Sequence, residues 1–202
     1  MRPFDPAGTW VARIFKGISG ALEGLPNLRP RTYLKDIMNY VITPIAEDHI
    51  ARFHETLDAV AREQKFLSLL EAPPLELMRH FVLNNIKEGC PQFIVLVDKE
   101  VVGWCDVLPH YQRTVHGHCG NLGMGLLPKY RGQGIGRTLM RRALDAALAF
   151  GFTRIELKVR ETNVNAITLY KHFGFETEGL HRKAVRIEGR YENMLSMAFL
   201  AE

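Results

Sequence analysis

The sequence predicts a mixed α/β domain over residues 38–202, and three observations carry that expectation. From Met38 onward the apolar periodicity switches repeatedly between two and 3.6 residues, the signature of strands and helices in alternation. A strand-like stretch, Cys119 to Leu127, contains Gly120, Gly123 and Gly125 and leads into a glycine-rich loop and a long amphipathic helix. The 202 residues, 47% hydrophobic and 24% charged, have the length and composition of a chain that buries a full globular core.

The elements follow in order. Tyr40 to Thr43 reads as a strand, and Pro44 to Asp48 opens a helix through about Glu63, with Glu47 and Asp48 favouring its positive end. A second helix follows Pro73-Pro74 and ends near Gly89. Phe93 to Val97 forms a buried strand that turns at Asp98-Lys99-Glu100 into Val101 to Trp104, making a hairpin. Pro109 to Gly117 is a polar, histidine-rich loop ahead of the glycine-bearing strand, whose glycines mark places where a backbone or a ligand comes close. A helix from about Gly134 to Phe150 buries Ile135, Leu139, Ala143, Ala147 and Phe150. A strand Arg154 to Val159, a helix Asn163 to His172 and two final strands turning at Glu188-Gly189 complete the chain.

Residues 1–37 read as an N-terminal extension, broken by Pro3, Pro6, Pro26 and Pro30. Within it Trp10, Val11, Ile14, Phe15, Ile18 and Leu22 recur at helical spacing, so a short amphipathic helix over residues 10–22 stands against a disordered tail or upstream sequence preceding a start at Met38. The extension holds six basic and three acidic side chains, leaving twenty against nineteen in the body, so the net charge of +4 is not the concentrated basic face of a nucleic-acid binder. No apolar run reaches eighteen residues and no secretory signal opens the chain, which predicts a cytoplasmic protein without a membrane partner unless through residues 10–22. Three cysteines without CxxC spacing predict reduced thiols rather than a disulfide framework.

The strongest chemical signal is Arg131-Gly132-Gln133-Gly134-Ile135-Gly136, set between a strand and a helix. Alternate glycines let successive N–H groups converge on one concavity, and the helix dipole adds to it, so the loop suits a pyrophosphate. A dinucleotide fingerprint would need glycine where Arg137 stands, and a Walker loop would need a Lys-Ser or Lys-Thr pair.

These residues resemble the acyl-CoA signature of the GCN5-related N-acetyltransferases (GNAT superfamily), Gln or Arg, two residues, Gly, one residue, Gly or Ala, met here by Arg131, Gly134 and Gly136. Asn163-Val164-Asn165-Ala166-Ile167-Thr168-Leu169-Tyr170 with Phe173-Gly174-Phe175 is similar to a second block of that family. The resemblance covers residues 38 to 200 and is strongest from Leu122 to Phe175. It implies a central twisted, largely antiparallel sheet of about seven strands with flanking helices and a splayed β4/β5 pair. It further implies acetyl-CoA as co-substrate, with the pantetheine arm on the backbone of Met124, Gly125 and Leu126 and the pyrophosphate on residues 131–137. By the same analogy Asn163 contacts the arm, and Tyr170 protonates the departing thiolate.

The expected activity is therefore acetyl transfer to a primary amine of a small molecule or protein, by direct attack in a ternary complex. A non-catalytic acyl-CoA-binding regulatory module, and a surface-binding protein working through the basic N-terminal helix, remain the alternatives. A protonated amine must lose a proton before attack, and Asp106, His116, His118 and Glu161 are the candidates to receive it. His110, His116, His118 and Cys119 match no standard zinc spacing, so no metal is expected. Arg137, Arg141 and Arg142 face the nucleotide end of CoA or merely solvate their helix. The basic final hairpin, with Arg182, Lys183, Arg186 and Arg190, points to an acceptor bearing a carboxylate, and its edge is a surface through which a homodimer would pair.

Overall fold

The computed structural model describes residues 39–109 and 114–202. The N-terminal extension, its amphipathic stretch, Met38 and His110 lie outside the described residues. Seven strands form one sheet in the order β1-β2-β3-β4-β5-β7-β6: β1 (Val41–Pro44), β2 (Gln92–Val97), β3 (Glu100–Pro109), β4 (Cys119–Leu126), β5 (Arg154–Arg160), β6 (Glu176–Ile187) and β7 (Arg190–Leu200). Among the described residues four α-helices flank it: α1 (Ile50–Arg62), α2 (Leu75–Lys87), α3 (Ile135–Phe150) and α4 (Val164–His172).

The first helix starts later than its sequence signals, because Glu47–His49 winds as a 3₁₀ turn in which the Ala46 N–H donates to His49 Nδ1 at 3.0 Å. Pro74 sits at the N-cap of α2, where a missing N–H costs nothing. The β2–β3 hairpin turns on Asp98 and Lys99, both at positive φ (51° and 69°), the twist that a two-residue connection requires. Strand β3 runs five residues beyond Trp104, since Cys105 to Pro109 pair with Met124 to Gly120 of β4.

Every neighbouring pair is antiparallel except β4 and β5, which run parallel and are joined through α3. They pair only over Cys119–Asn121 and Arg154–Glu156, so from Leu122 onward the two strands diverge. The splay expected from the family resemblance is thus present.

Two apolar cores lie on opposite faces. On one, α3 packs Ile135, Leu139, Met140, Ala143, Leu144 and Ala147 against the sheet. Phe150, expected on that buried side, is instead 40% exposed. The helix stops at Gly151, and Phe152 takes the core position beyond it while the Phe150 ring lies against it at 5.0 Å. On the other face α1 and α2 place Phe53, Leu57 and Val82 over Ile94, Val101 and Trp104. Thr56 Oγ1 donates to Val101 O at 2.6 Å, which fixes α1 along β3.

Candidate active site

The loop after β4 turns on two left-handed glycines, Gly132 (φ 71°) and Gly134 (φ 87°), which a side chain would strain. Gly134 is the N-cap of α3, and among the described residues the N–H groups of residues 132–136 donate to no acceptor. Unpartnered N–H groups at the positive end of a sixteen-residue helix make a place for an anion. A cavity of about 520 Å³ opens there, running from Gly132, Gly134, Gly136 and Arg137 to Met124, Gly125 and Leu126 of β4. Gln133 does not line it, since its Nε2 donates to Lys129 O at 2.6 Å, and the Ile135 side chain is buried in the core. Arg141 stacks over Phe173 and Arg142 over Phe93, so neither side chain enters it.

Arg131 borders the cavity with its side chain already engaged. Its guanidinium meets both oxygens of Glu63 at the end of α1, donates through Nε to Leu126 O at 2.7 Å and lies over the Phe66 ring. Because the Leu126 carbonyl is taken there, the polar groups of Leu126 face away from β3. The two-residue period of a strand turns those of Met124 the same way, into the splay.

The opposite wall comes from α4, with Asn163, Asn165, Ala166, Leu169 and Tyr170. Asn163 caps the helix through Oδ1, which accepts from the Ala166 N–H at 3.3 Å, leaving its amide NH₂ as the available group. Tyr170 is buried, and its ring packs 5.8 Å from that of Phe175. Burial, reinforced by the nearby Cys105 thiol, pushes its phenol well above the ordinary value and holds it as a proton donor.

A second cavity, of about 680 Å³, lies on the α1/α2 face of the sheet and shares Met124 with the first. Its floor is built by the β3–β4 register, in which Trp104 stands opposite Gly125 and Asp106 opposite Gly123. A Cβ on Gly125 would lie 2.4 Å from the Trp104 ring, and one on Gly123 would lie 3.0 Å from Asp106 Oδ1. These glycines therefore let two β3 side chains lean across β4 toward the splay. Asp106 is buried at 9% exposure, and desolvation raises its carboxyl to about 7, against a hydrogen bond from Gly123 that lowers it.

Of the other candidate bases, Glu161 is exposed and accepts from Asn193 Nδ2 at 2.9 Å, while His116 and His118 are exposed ahead of β4. None of the three lines the cavity. Among the described residues no three metal-ligating side chains converge, and no helix is long and apolar enough to cross a membrane.

The segment joining α1 to α2 borders both cavities, with Phe66 in the first and Leu67, Ser68 and Leu69 in the second. Besides Arg131, it is held by Arg160, 1% exposed, which donates to Gln64 O at 2.6 Å and Leu67 O at 2.8 Å. Sequence reading missed Phe66, Asn165 and this pair of arginine contacts. Arg160 falls on the charged side of an alternating strand, Arg154–Arg160, so nothing in the sequence set it apart from a solvent-facing position.

The family described as "Acetyltransferase (GNAT) family" matches residues 54–175, more than half of the chain. The L-amino acid N-acetyltransferase AaaT of Escherichia coli K12 is 30% identical over 113 residues, which span 55% of this chain and 69% of that protein. The N-alpha-acetyltransferase RimI of Mycobacterium tuberculosis is 41% identical over 66 residues, 33% of this chain and 40% of the relative. Among solved structures, a GNAT superfamily phosphinothricin acetyltransferase of Sinorhizobium meliloti in complex with acetyl-CoA superposes with a TM-score of 0.76 at 20% identity, covering 82% of this chain and 90% of that one. At that identity the likeness concerns the fold.

Proposed function

The chain belongs to the acetyltransferase (GNAT) family and is an acyltransferase, and from that premise we propose that it moves the acetyl group of acetyl-CoA to a primary amine within a ternary complex. The observation that carries this reading is the pair of cavities meeting at Met124, one walled by the unpartnered N–H groups of the glycine loop and by Tyr170, the other by Asp106. Acetyl-CoA supplies the activated thioester. The N–H groups of residues 132–136 suit its pyrophosphate, with Arg137 beside them, and the diverging edge of β4 suits its arm.

On this reading Asp106 accepts a proton from the acceptor ammonium, freeing the lone pair that attacks the thioester carbonyl. A carboxyl near 7 is matched to that task at neutral pH, being ionised in a large fraction of molecules and still basic enough to act. The Met124 N–H, facing the splay, meets the negative charge that gathers on the carbonyl oxygen. As the carbon–sulfur bond breaks, Tyr170 gives its phenolic proton to the departing thiolate and regains one from the acceptor nitrogen, which sheds its second proton as the amide forms; a phenol held protonated by burial is useful there.

The test is release of free CoA over a panel of amino acids, peptides, polyamines and aminoglycosides, with Tyr170→Phe alongside. Turnover on one class, falling by about 100-fold or more in the variant, supports the transferase and its acid together. Tight acetyl-CoA binding without turnover on any acceptor refutes the reading in favour of a non-catalytic acyl-CoA-binding module.

A further inference from the structure

The second cavity holds four charged side chains besides its apolar walls: Asp106, Glu156, Lys158 and Glu178. Two of these are committed. Arg154 pairs with Glu156 and Glu178 at 2.5 Å each, and its remaining terminal nitrogen donates to Glu178 at 2.9 Å. Asp106 and Lys158 have no salt-bridge partner among the described residues, so one carboxylate and one ammonium are left to meet whatever enters.

Their placement follows from register. Asp106 stands opposite Gly123, and Asn121 opposite Glu156, so two residues further along the parallel direction Gly123 faces Lys158 across the splay. Asp106, Gly123 and Lys158 thus form one row on one face, with the middle position lacking a side chain. Two strand spacings set the outer Cα atoms roughly 10 Å apart, and more where the strands diverge. Met124, which lines both cavities, is the next residue along β4.

We propose that the acceptor is a free α-amino acid with an apolar side chain, its carboxylate held by Lys158 and its amino group set over Gly123 beside Asp106. This rests on the acetyl transfer to an amine proposed above. A zwitterion complements the two unpaired charges, and its amino group then lies next to Met124, where the thioester is expected. The apolar side chain meets Leu57 of α1, Phe81 of α2, and Leu67 and Leu69 of the segment between them. Phe81 and Leu69 are 43% and 41% exposed at this cavity, an arrangement that leaves apolar surface for a ligand to cover. The final hairpin is not the source of the positive charge: Arg182, Lys183, Arg186 and Arg190 line neither cavity, and Lys183 and Arg186 lie over Tyr191. A peptide amino terminus has an amide where Lys158 requires an anion, which separates this reading from acetylation of protein termini.

Steady-state kinetics on leucine, methionine and phenylalanine, their amides and their decarboxylated amines decide it. The amino acids are expected to exceed the matching amides and amines in kcat/KM by about 10- to 100-fold, the scale of one charge-assisted hydrogen-bonded contact. Lys158→Met raises KM for the amino acid by a similar factor with kcat largely kept, shifts the amine far less, and Lys158→Arg restores most of the loss. Calorimetric binding of acetyl-CoA establishes that the variants are folded. Equal turnover of amides and amino acids, or an unchanged amino-acid KM in Lys158→Met, overturns the inference alone. No CoA release from any of these or from the wider panel overturns the transferase reading with it.

Discussion

Replacing Asp106 by Asn should make the protein more stable at alkaline pH and a poorer enzyme, both for the same reason. In the folded chain the Asp106 carboxyl sits at about 7 rather than 3.8, chiefly because burial disfavours its charge. Between pH 4 and 7 the unfolded chain therefore carries the charge while the folded chain keeps the proton. Stability falls as pH rises through that window and levels off above it. The whole difference corresponds to about 4 kcal/mol, of which about 2–3 kcal/mol develops between pH 5 and pH 8. The amide of the Asp106→Asn variant titrates nowhere in this range, and its carbonyl can still accept from the Gly123 N–H. Other groups oppose the trend: Asp58, hydrogen-bonded by Arg62 and the Ala72 N–H, and Glu178, held by Arg154, both lie below their ordinary values and lose their contribution in acid. They are common to both proteins, so only the difference between variant and parent is informative. Urea unfolding of the two at pH 5 and pH 8 measures it. The pH profile of kcat/KM should rise through about 7 in the parent and be flat and on the order of 100-fold lower in the variant. A stability difference constant within about 0.5 kcal/mol across this range would refute the buried, proton-retaining carboxyl.

Two further outcomes probe the supports of the site. Gly125→Ala would push a methyl group into the Trp104 ring at 2.4 Å, and overpacking of this kind costs about 1–3 kcal/mol, read as a lowered Tm; an unchanged Tm would mean that Trp104 does not depend on that vacancy. Arg160→Met keeps the apolar stem but leaves Gln64 O and Leu67 O without their donor, so it should cost about 1–3 kcal/mol and raise KM for both substrates. An effect confined to one substrate would show that the segment serves a single cavity.

The glycine-rich turn and the α4 helix were legible in the sequence because their signals lie in consecutive residues, the glycines at 132 and 134 and the helices that follow; that Asn163 caps α4 rather than lying within it came only from the structure. What the sequence left undecided depends on pairing between distant strands. Asp106 could not be separated from His116, His118 and Glu161, because only the register with β4 sets it over Gly123 and inside a cavity. The same register gives Gly123 and Gly125 a role in admitting Asp106 and Trp104, where the sequence pointed to close approach of a backbone or ligand. Lys158 was silent, since one lysine in an alternating strand looks like any solvent-facing position until its neighbours' charges are known. Phe150 shows the limit of periodicity: it lies on the predicted stripe, yet the helix ends there and Phe152, beyond the Gly151 cap, takes the buried position.

The segment from Glu63 to Leu69 gives the two cavities a common wall, pinned at Glu63 by Arg131 and at Gln64 and Leu67 by Arg160. Phe66 and Leu67 are adjacent in the chain, so a ligand that shifts one side chain displaces the peptide unit carrying the other. On the proposed function, occupancy of one chamber is therefore expected to change affinity in the next, and thermodynamic reciprocity would make that influence equal in both directions.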